Sequence, residues 1–81
     1  MPRTLRTPRH EALRRLLISE RKAAGLTQVE VAARLSQSQS WVAKIEGGER
    51  RVDVVELMEL AEAIGFDATE AVRIVRMARA G

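Results

Sequence analysis

The chain has 81 residues, 46% of them hydrophobic and 31% charged, which is the composition of one small globular domain. It contains no cysteine and one histidine, His10, which excludes disulfides, cysteine-ligated zinc and multi-histidine metal sites. Its net charge is +3, and residues 1–25 hold seven basic against two acidic residues. This basic end favours either a polyanionic partner or an ordinary solvated surface.

The first predicted helix follows a basic arm of residues 1–7. Residues 1–6 show no periodicity, and Thr7-Pro8 then supplies a hydroxyl cap and a proline at the first helical position. Apolar residues recur at helical spacing and extend the helix to about residue 23, where Gly25 ends it in a left-handed conformation. The arginines of this region either enter a minor groove or make no fixed contact, and they are Arg3, Arg6 and Arg9.

A second and a third helix follow after short breaks. Thr27 and Glu30 form a capping-box pattern at the start of a helix over about 28–35, with its inner face at Val31, Ala32 and Leu35. Ser38 is the next predicted N-cap, and the third helix runs from there to Gly47-Gly48.

Two acidic caps begin the remaining helices. Asp53 starts a fourth helix that ends at Gly65, and Asp67 starts a fifth. No segment alternates with a period of two between turn signals, so we predict no strand. The predicted fold is therefore an all-α, compact five-helix bundle, with residues 8–66 as its main domain and 67–81 as a C-terminal helix. The inner face of the fourth helix is predicted at Val54, Leu57, Leu60, Ala61 and Ile64.

The second and third helices carry the pattern with the most specific chemistry. Two short helices joined by so few residues cross steeply, as in a helix-turn-helix. Val42 and Ile45 share the face that packs back on the second helix, which leaves the polar residues Gln39, Ser40 and Lys44 outward. Glutamine bonds adenine bidentately, lysine bonds guanine acceptors and serine bonds either, so this face suits the DNA major groove. The alternative is that the three are ordinary solvent-facing side chains.

Four ordered segments resemble one family of regulators. Gly25-Leu26-Thr27-Gln28, Val31-Ala32, Ser38-Gln39-Ser40-Trp41-Val42 and Lys44-Ile45-Glu46-Gly47-Gly48-Glu49-Arg50 resemble the XRE family, helix-turn-helix regulators similar to phage Cro and repressor proteins. The resemblance covers about residues 9–66. It implies a lambda-repressor-like bundle whose third helix enters the major groove, often in a dimer on a palindromic operator.

The resemblance also implies roles for single residues. Gln39, Ser40 and Lys44 would read base edges, and Gln28 would contact a phosphate and brace Gln39. Arg21 and Glu46 would form an ion pair that ties the first helix to the end of the third. Seven residues would lie near the DNA backbone: Thr27, Gln28, Ser38, Trp41, Arg50, Arg51 and Arg21.

Two positions depart from the family pattern, and one further position has two possible roles. Ser36 stands where the family usually has glycine in a left-handed conformation, and Gln37 stands where an apolar residue is common. Trp41 either stacks along the DNA backbone or covers the second helix with one edge exposed.

The last two helices suggest surfaces that face away from DNA. Glu56, Glu59 and Glu62 are spaced as a solvated strip on the fourth helix. The fifth helix is expected to pack on the bundle through Val72 and Val75, and its apolar surplus suggests a dimer interface, although a helix that closes the core is the alternative. The residues of this interface are predicted to be Phe66, Ile74, Met77 and Ala78, joined by Ile64.

These features predict a sequence-specific DNA-binding transcriptional regulator, a repressor that acts as a homodimer on a palindromic operator of double-stranded DNA. The alternative is an antitoxin or another protein-interaction module that binds a partner protein through the same fold. No nucleophile, base and orienting group converge, so the chain is not expected to be an enzyme. We expect no metal, no cofactor, no small-molecule ligand and no membrane contact, because no apolar run nears the roughly 20 residues of a membrane span. The expected location is the cytoplasm.

Overall fold

A computed structural model describes residues 7–78, and this part of the chain folds into five helices and no strand. The prediction of an all-α bundle of five helices is therefore confirmed. The arm residues Arg3 and Arg6 lie outside the described residues, as do residues 79–81. In chain order the helices are α1 (Pro8–Ala23), α2 (Gln28–Arg34), α3 (Gln39–Glu46), α4 (Val54–Ile64) and α5 (Ala68–Met77).

Side-chain caps begin every helix at the predicted residue. The hydroxyl or carboxylate of each cap accepts a hydrogen bond from a backbone N–H in the first turn, which satisfies a donor that the helix cannot pair internally. Thr27 and Glu30 complete the predicted capping box, and Asp53 and Glu56 form a second one. The five caps are Thr7, Thr27, Ser38, Asp53 and Asp67.

The core is aliphatic and lies where α1, α2, α3 and α4 meet. Val31 and Ala32 of α2 and Val42 and Ile45 of α3 are buried as predicted, whereas Leu35 is half-buried at the C-cap of α2. Helix α2 packs closely on α3, while α5 packs mainly on α1. This packing presents the opposite face of α3 to solvent. The buried core residues are Leu17, Val31, Ala32, Val42, Ile45, Leu57, Leu60, Ala61, Ile64 and Ala71.

Two valines predicted to face the bundle are exposed instead. Val54 is 73% exposed and Val72 is 51% exposed. Each residue of a helix turns by about 100°, so burial of Ala71 points the adjacent Val72 away from the core. Ile64 and Phe66 were predicted to join an outer surface, but Ile64 is buried and Phe66 packs against the core.

The turn between α2 and α3 contains the left-handed residue that the resemblance implies. Ser36 has φ +55°, the one non-glycine residue with positive φ among residues 7–78. A side chain in this conformation crowds the following carbonyl, which is why glycine is favoured there. The chain keeps the turn geometry with serine and bears the conformational cost.

Three arginines bind the C-terminal ends of helices. Arg9 donates to the carbonyls of Arg76 and Ala78 at 3.2 Å each, at the end of α5. Arg14 donates to the Glu46 carbonyl of α3 at 2.7 Å, and Arg34 to the Ala63 carbonyl of α4 at 2.7 Å. The last carbonyls of a helix lack internal partners and carry partial negative charge, so these contacts stabilise the bundle. Arg9 was predicted as an arm residue, and this contact corrects that prediction.

Candidate nucleic-acid interface

The outer face of α3 is polar and open to solvent. Gln39, Ser40 and Lys44 are all exposed, whereas Val42 and Ile45 on the opposite face are buried. Ser38 caps the helix and leaves its first backbone N–H groups at an exposed end. The structure therefore brings the three predicted base-reading residues together on one accessible surface, with helix N–H donors beside them.

Gln39 is held by the first residue of α2. Its Nε2 donates to Oε1 of Gln28 at 2.7 Å, and Nε2 of Gln28 donates to Oε1 of Glu46 at 2.9 Å. Gln28 thus braces Gln39, as the resemblance implies. The contact from Gln28 to Glu46 has no counterpart in the predictions, because only the crossing of α2 and α3 places the two residues side by side.

Glu46 ends this chain of hydrogen bonds at a buried ion pair. Arg21 donates from Nε to Oε2 of Glu46 at 2.6 Å and from Nη2 to Oε1 at 2.9 Å. The bonds to this carboxylate raise the pKa of Arg21 above its ordinary value. Arg21 also donates from Nη1 to the Leu26 carbonyl at 2.8 Å. The predicted ion pair is present, and its arginine is engaged inside the protein, so Arg21 is left out of the proposed phosphate contacts.

Trp41 is covered by a second arginine rather than left open. Its ring is half-buried against the core, and the guanidinium of Arg50 lies 5.0 Å from the ring centroid. Arg50 in turn donates to both carboxylate oxygens of Glu56, at 3.0 and 2.8 Å. Trp41 thus packs against the core with part of its ring exposed, and its contact with the DNA backbone stays a prediction. The predicted contact of Arg50 with the DNA backbone stays a prediction. The structure corrects the prediction that Glu56 belongs to a solvated strip, because this side chain is half-buried and paired with Arg50.

The remaining predicted backbone contacts lie at helix starts and in the turn after α3. Thr27 and Ser38 are exposed caps of α2 and α3, and the side chain of Arg51 is exposed. His10 lies near this turn: partial burial and then the charge of Arg51 hold the pKa of its imidazole below 6.5. Lys44, in the last turn of α3, and Arg51, in the turn that follows, are both exposed cations.

A family model described as a helix-turn-helix domain matches residues 3–74. An XRE-family like protein from Pseudomonas syringae is 46% identical in sequence and superposes with a TM-score of 0.80. The match covers 84% of this chain and 83% of the Pseudomonas chain. The chain belongs to the XRE family of helix-turn-helix proteins.

Further relatives of this XRE protein are described as regulators. A curated protein from Sinorhizobium fredii, described as an uncharacterized HTH-type transcriptional regulator, is 44% identical over 64% of this chain and 68% of its own length. The restriction-modification controller protein of Aeromonas hydrophila is 30% identical, with a TM-score of 0.67 over 73% of this chain and 86% of its own. The clp gene regulator from Corynebacterium glutamicum is 25% identical, with a TM-score of 0.77 over 90% and 97% of the two chains.

Family membership decides the general class of the protein. The XRE protein is a helix-turn-helix transcriptional regulator rather than an enzyme, which confirms that prediction. None of the helices between residues 7 and 78 is long and apolar enough to cross a bilayer. In the same part of the chain, no group of three acidic, histidine or cysteine side chains is placed to hold a metal ion.

Proposed function

We propose that this XRE protein represses transcription by binding a palindromic operator as a homodimer, with α3 of each copy in a major groove. The observation that carries the proposal is the exposed polar face of α3, backed by the bonded series Gln39, Gln28 and Glu46. Base edges are read by Gln39, Ser40 and Lys44, and occupancy of the operator blocks the promoter sterically. The proposal places the protein with the DNA, in the cytoplasm.

Affinity in this proposal comes from phosphates at the edges of the groove. The exposed N-terminal ends of α2 and α3 offer backbone N–H groups beside the hydroxyls of Thr27 and Ser38. Lys44, in the last turn of α3, and Arg51, in the turn after it, are exposed and add positive charge. Each phosphate neutralised by a cation releases counterions, so binding is expected to weaken steeply with salt.

The homodimer needs an apolar surface, and α5 provides one. Ile74 is 40% exposed and Met77 is 66% exposed, and the two residues lie on one edge of the helix. An exposed apolar edge of this kind is typical of a self-association surface. Ala78, which follows Met77, is half-buried. Phe66 packs against the core, so it adds less area to this proposed interface than the sequence predicted.

A second candidate function, a module that binds a partner protein, is favoured by an apolar patch on α4. Val54, Val55 and Met58 are all exposed and lie on one side of that helix. An exposed apolar patch of this kind is typical of a surface that binds another protein. An antitoxin role would use this patch.

Capture of genomic DNA fragments tests the proposed function. Purified wild type and a Gln39→Ala/Lys44→Ala variant are each incubated with sheared DNA at low and moderate salt, and the retained fragments are sequenced. The proposal expects a short palindrome with the wild type and its loss with the variant. Weak capture of all fragments, equal for both proteins and abolished by moderate salt, would contradict the operator and direct attention to the α4 patch.

A further inference from the structure

The buried carboxylate of Glu46 dictates which end of the Gln28 amide faces it. Glu46 is 8% exposed, and its two carboxylate oxygens accept hydrogen bonds from Arg21. A carboxylate accepts hydrogen bonds and donates none. The amide of Gln28, 2.9 Å from Oε1 of Glu46, must therefore present its Nε2 to that oxygen.

The orientation of the Gln28 amide in turn fixes the orientation of the Gln39 amide, the side chain proposed to contact a base. With Nε2 of Gln28 turned inward, its Oε1 is the atom that faces Gln39, and an oxygen without hydrogens calls for a donor. Gln39 meets it with its own Nε2, at 2.7 Å. One hydrogen of this nitrogen is used in the contact, so Gln39 keeps one N–H and its Oε1 for a base.

One donor beside one acceptor distinguishes adenine from guanine in the major groove. Adenine offers the N7 acceptor and the N6 amino donor, whereas guanine offers two acceptors, N7 and O6. We infer that Glu46, without touching DNA, is a positioning residue that makes Gln39 read adenine rather than guanine by fixing the polarity of two amides. This inference rests on the proposed function, in which Gln39 contacts a base.

A neutral amide at position 46 would remove this constraint. The side chain of a Glu46→Gln variant can turn its own N–H toward Gln28, whose amide can then reverse and donate to Oε1 of Gln39. Gln39 would present both hydrogens of Nε2 outward, the arrangement that matches the two acceptors of guanine. Arg21 opposes this turn because its donors face position 46, so an Arg21→Met/Glu46→Gln variant frees the amide fully and leaves no unpaired buried charge.

The test measures base preference at the one operator position where Gln39→Ala abolishes discrimination. Affinities for matched DNA duplexes with adenine or guanine at that position are compared for five proteins whose folding is checked by thermal unfolding. The variants, beside the wild type, are Glu46→Gln, Arg21→Met/Glu46→Gln, Gln28→Leu and the control Glu49→Gln. Glu49→Gln makes the same charge change at an exposed residue outside the bonded series.

The expected result is a preference for adenine of at least about tenfold in the wild type and in Glu49→Gln. It falls to about twofold or less, or reverses, in Arg21→Met/Glu46→Gln and Gln28→Leu. A purely structural role for Glu46 would weaken binding to both duplexes equally, and an unchanged ratio in these two variants would overturn the inference. A wild-type preference for guanine would overturn it while leaving the proposed function intact. No preference at any position in the wild type would overturn the proposed function itself.

Discussion

Arg21 and Glu46 form a two-bond ion pair, with N–O distances of 2.6 and 2.9 Å, that joins α1 to the last residue of α3. Their side chains are only 11% and 9% exposed. Removing one charge from such a pair leaves the other buried without its partner, which costs far more than the pair contributes as a whole. The C-terminal end of α3 is therefore fixed to α1 by the same carboxylate that contacts Gln28.

Loss of the buried arginine is expected to destabilise the fold strongly. Arg21→Ala should lower the free energy of unfolding by about 3 kcal/mol, because Glu46 is then left as an unpaired buried charge. Urea unfolding measures the change. Arg73→Ala is the matched control: it breaks an ion pair with Glu70 on exposed α5, where both side chains are more than half exposed, and should cost less than about 1 kcal/mol. Equal losses for the two variants would contradict the account.

The strained turn before α3 predicts an unusual response to glycine. Ser36 has φ +55°, so Ser36→Gly should be more stable than Ser36→Ala by about 1 kcal/mol. At position 33, within α2, the order of stability should be reversed: the wild-type alanine should be more stable than glycine, because alanine is the better helix former. Thermal unfolding of Ser36→Gly, Ser36→Ala and Ala33→Gly checks both signs. A Ser36→Ala protein as stable as Ser36→Gly would show that the turn carries no strain.

Acid is expected to weaken the contact that holds Arg50 over Trp41. Hydrogen bonds from Arg50, and then from the backbone N–H of Asp53, lower the pKa of Glu56 below its ordinary value of 4.5. The unfolded chain therefore binds the proton more tightly than the folded one, so this stability is present above about pH 4.5 and is lost as the pH falls through the lowered pKa. The difference in unfolding free energy between wild type and Glu56→Gln should shrink below pH 4.5.

Denaturant unfolding of wild type and Glu56→Gln across pH 3 to 7 measures this difference in unfolding free energy. The size of its change with pH is set by how far the pKa of Glu56 is lowered in the folded protein. An Arg50→Met background is the control, since removal of the main cause of the shift should reduce the pH dependence. A difference that stays constant across the whole pH range would contradict the assigned role of Glu56.

The proposed dimer is tested by charges placed on the two apolar surfaces. Met77→Lys on α5 should weaken self-association at least about tenfold, which corresponds to about 1.4 kcal/mol, because a lysine would be buried in the interface. Met58→Lys on α4 makes the same change at a similarly exposed position and should leave the association unchanged. Sedimentation velocity measures both. Dissociation by Met58→Lys alone would place the interface on α4, and a monomeric wild type would contradict the homodimer.

Local signals made most of this fold predictable. Each helix starts at a cap that satisfies its own first-turn donors within three residues, so Thr7, Thr27 and Ser38 could be recognised without tertiary information. The glycines after the helices are local signals of the same kind, whereas the left-handed conformation of Ser36 was expected only from the resemblance to the family. The sequence did not predict which face of α5 is buried, because apolar residues lie all around this helix. Packing on α1 buries Ala71 and leaves Val72 exposed.

Side-chain partners distant in sequence were the least predictable part of the site. Arg50 pairs with Glu56 through a contact that depends on how α4 begins, and no spacing in the sequence indicated this partner. Three arginines that look like polyanion-binding charges instead bind the ends of α3, α4 and α5. The exposed polar face of α3 could be predicted because helical spacing alone places Gln39, Ser40 and Lys44 opposite the buried Val42 and Ile45.

Binding of the captured operator by the reading-face variant tests the central claim most directly. Fluorescence anisotropy compares wild type, Gln39→Ala/Lys44→Ala and the control Arg76→Ala, which removes one charge from exposed α5, on the operator and on a scrambled duplex. We expect the double variant to lose at least about tenfold in affinity for the operator and to bind both duplexes alike, while Arg76→Ala keeps the wild-type preference. An operator preference that survives in the double variant would contradict recognition through α3.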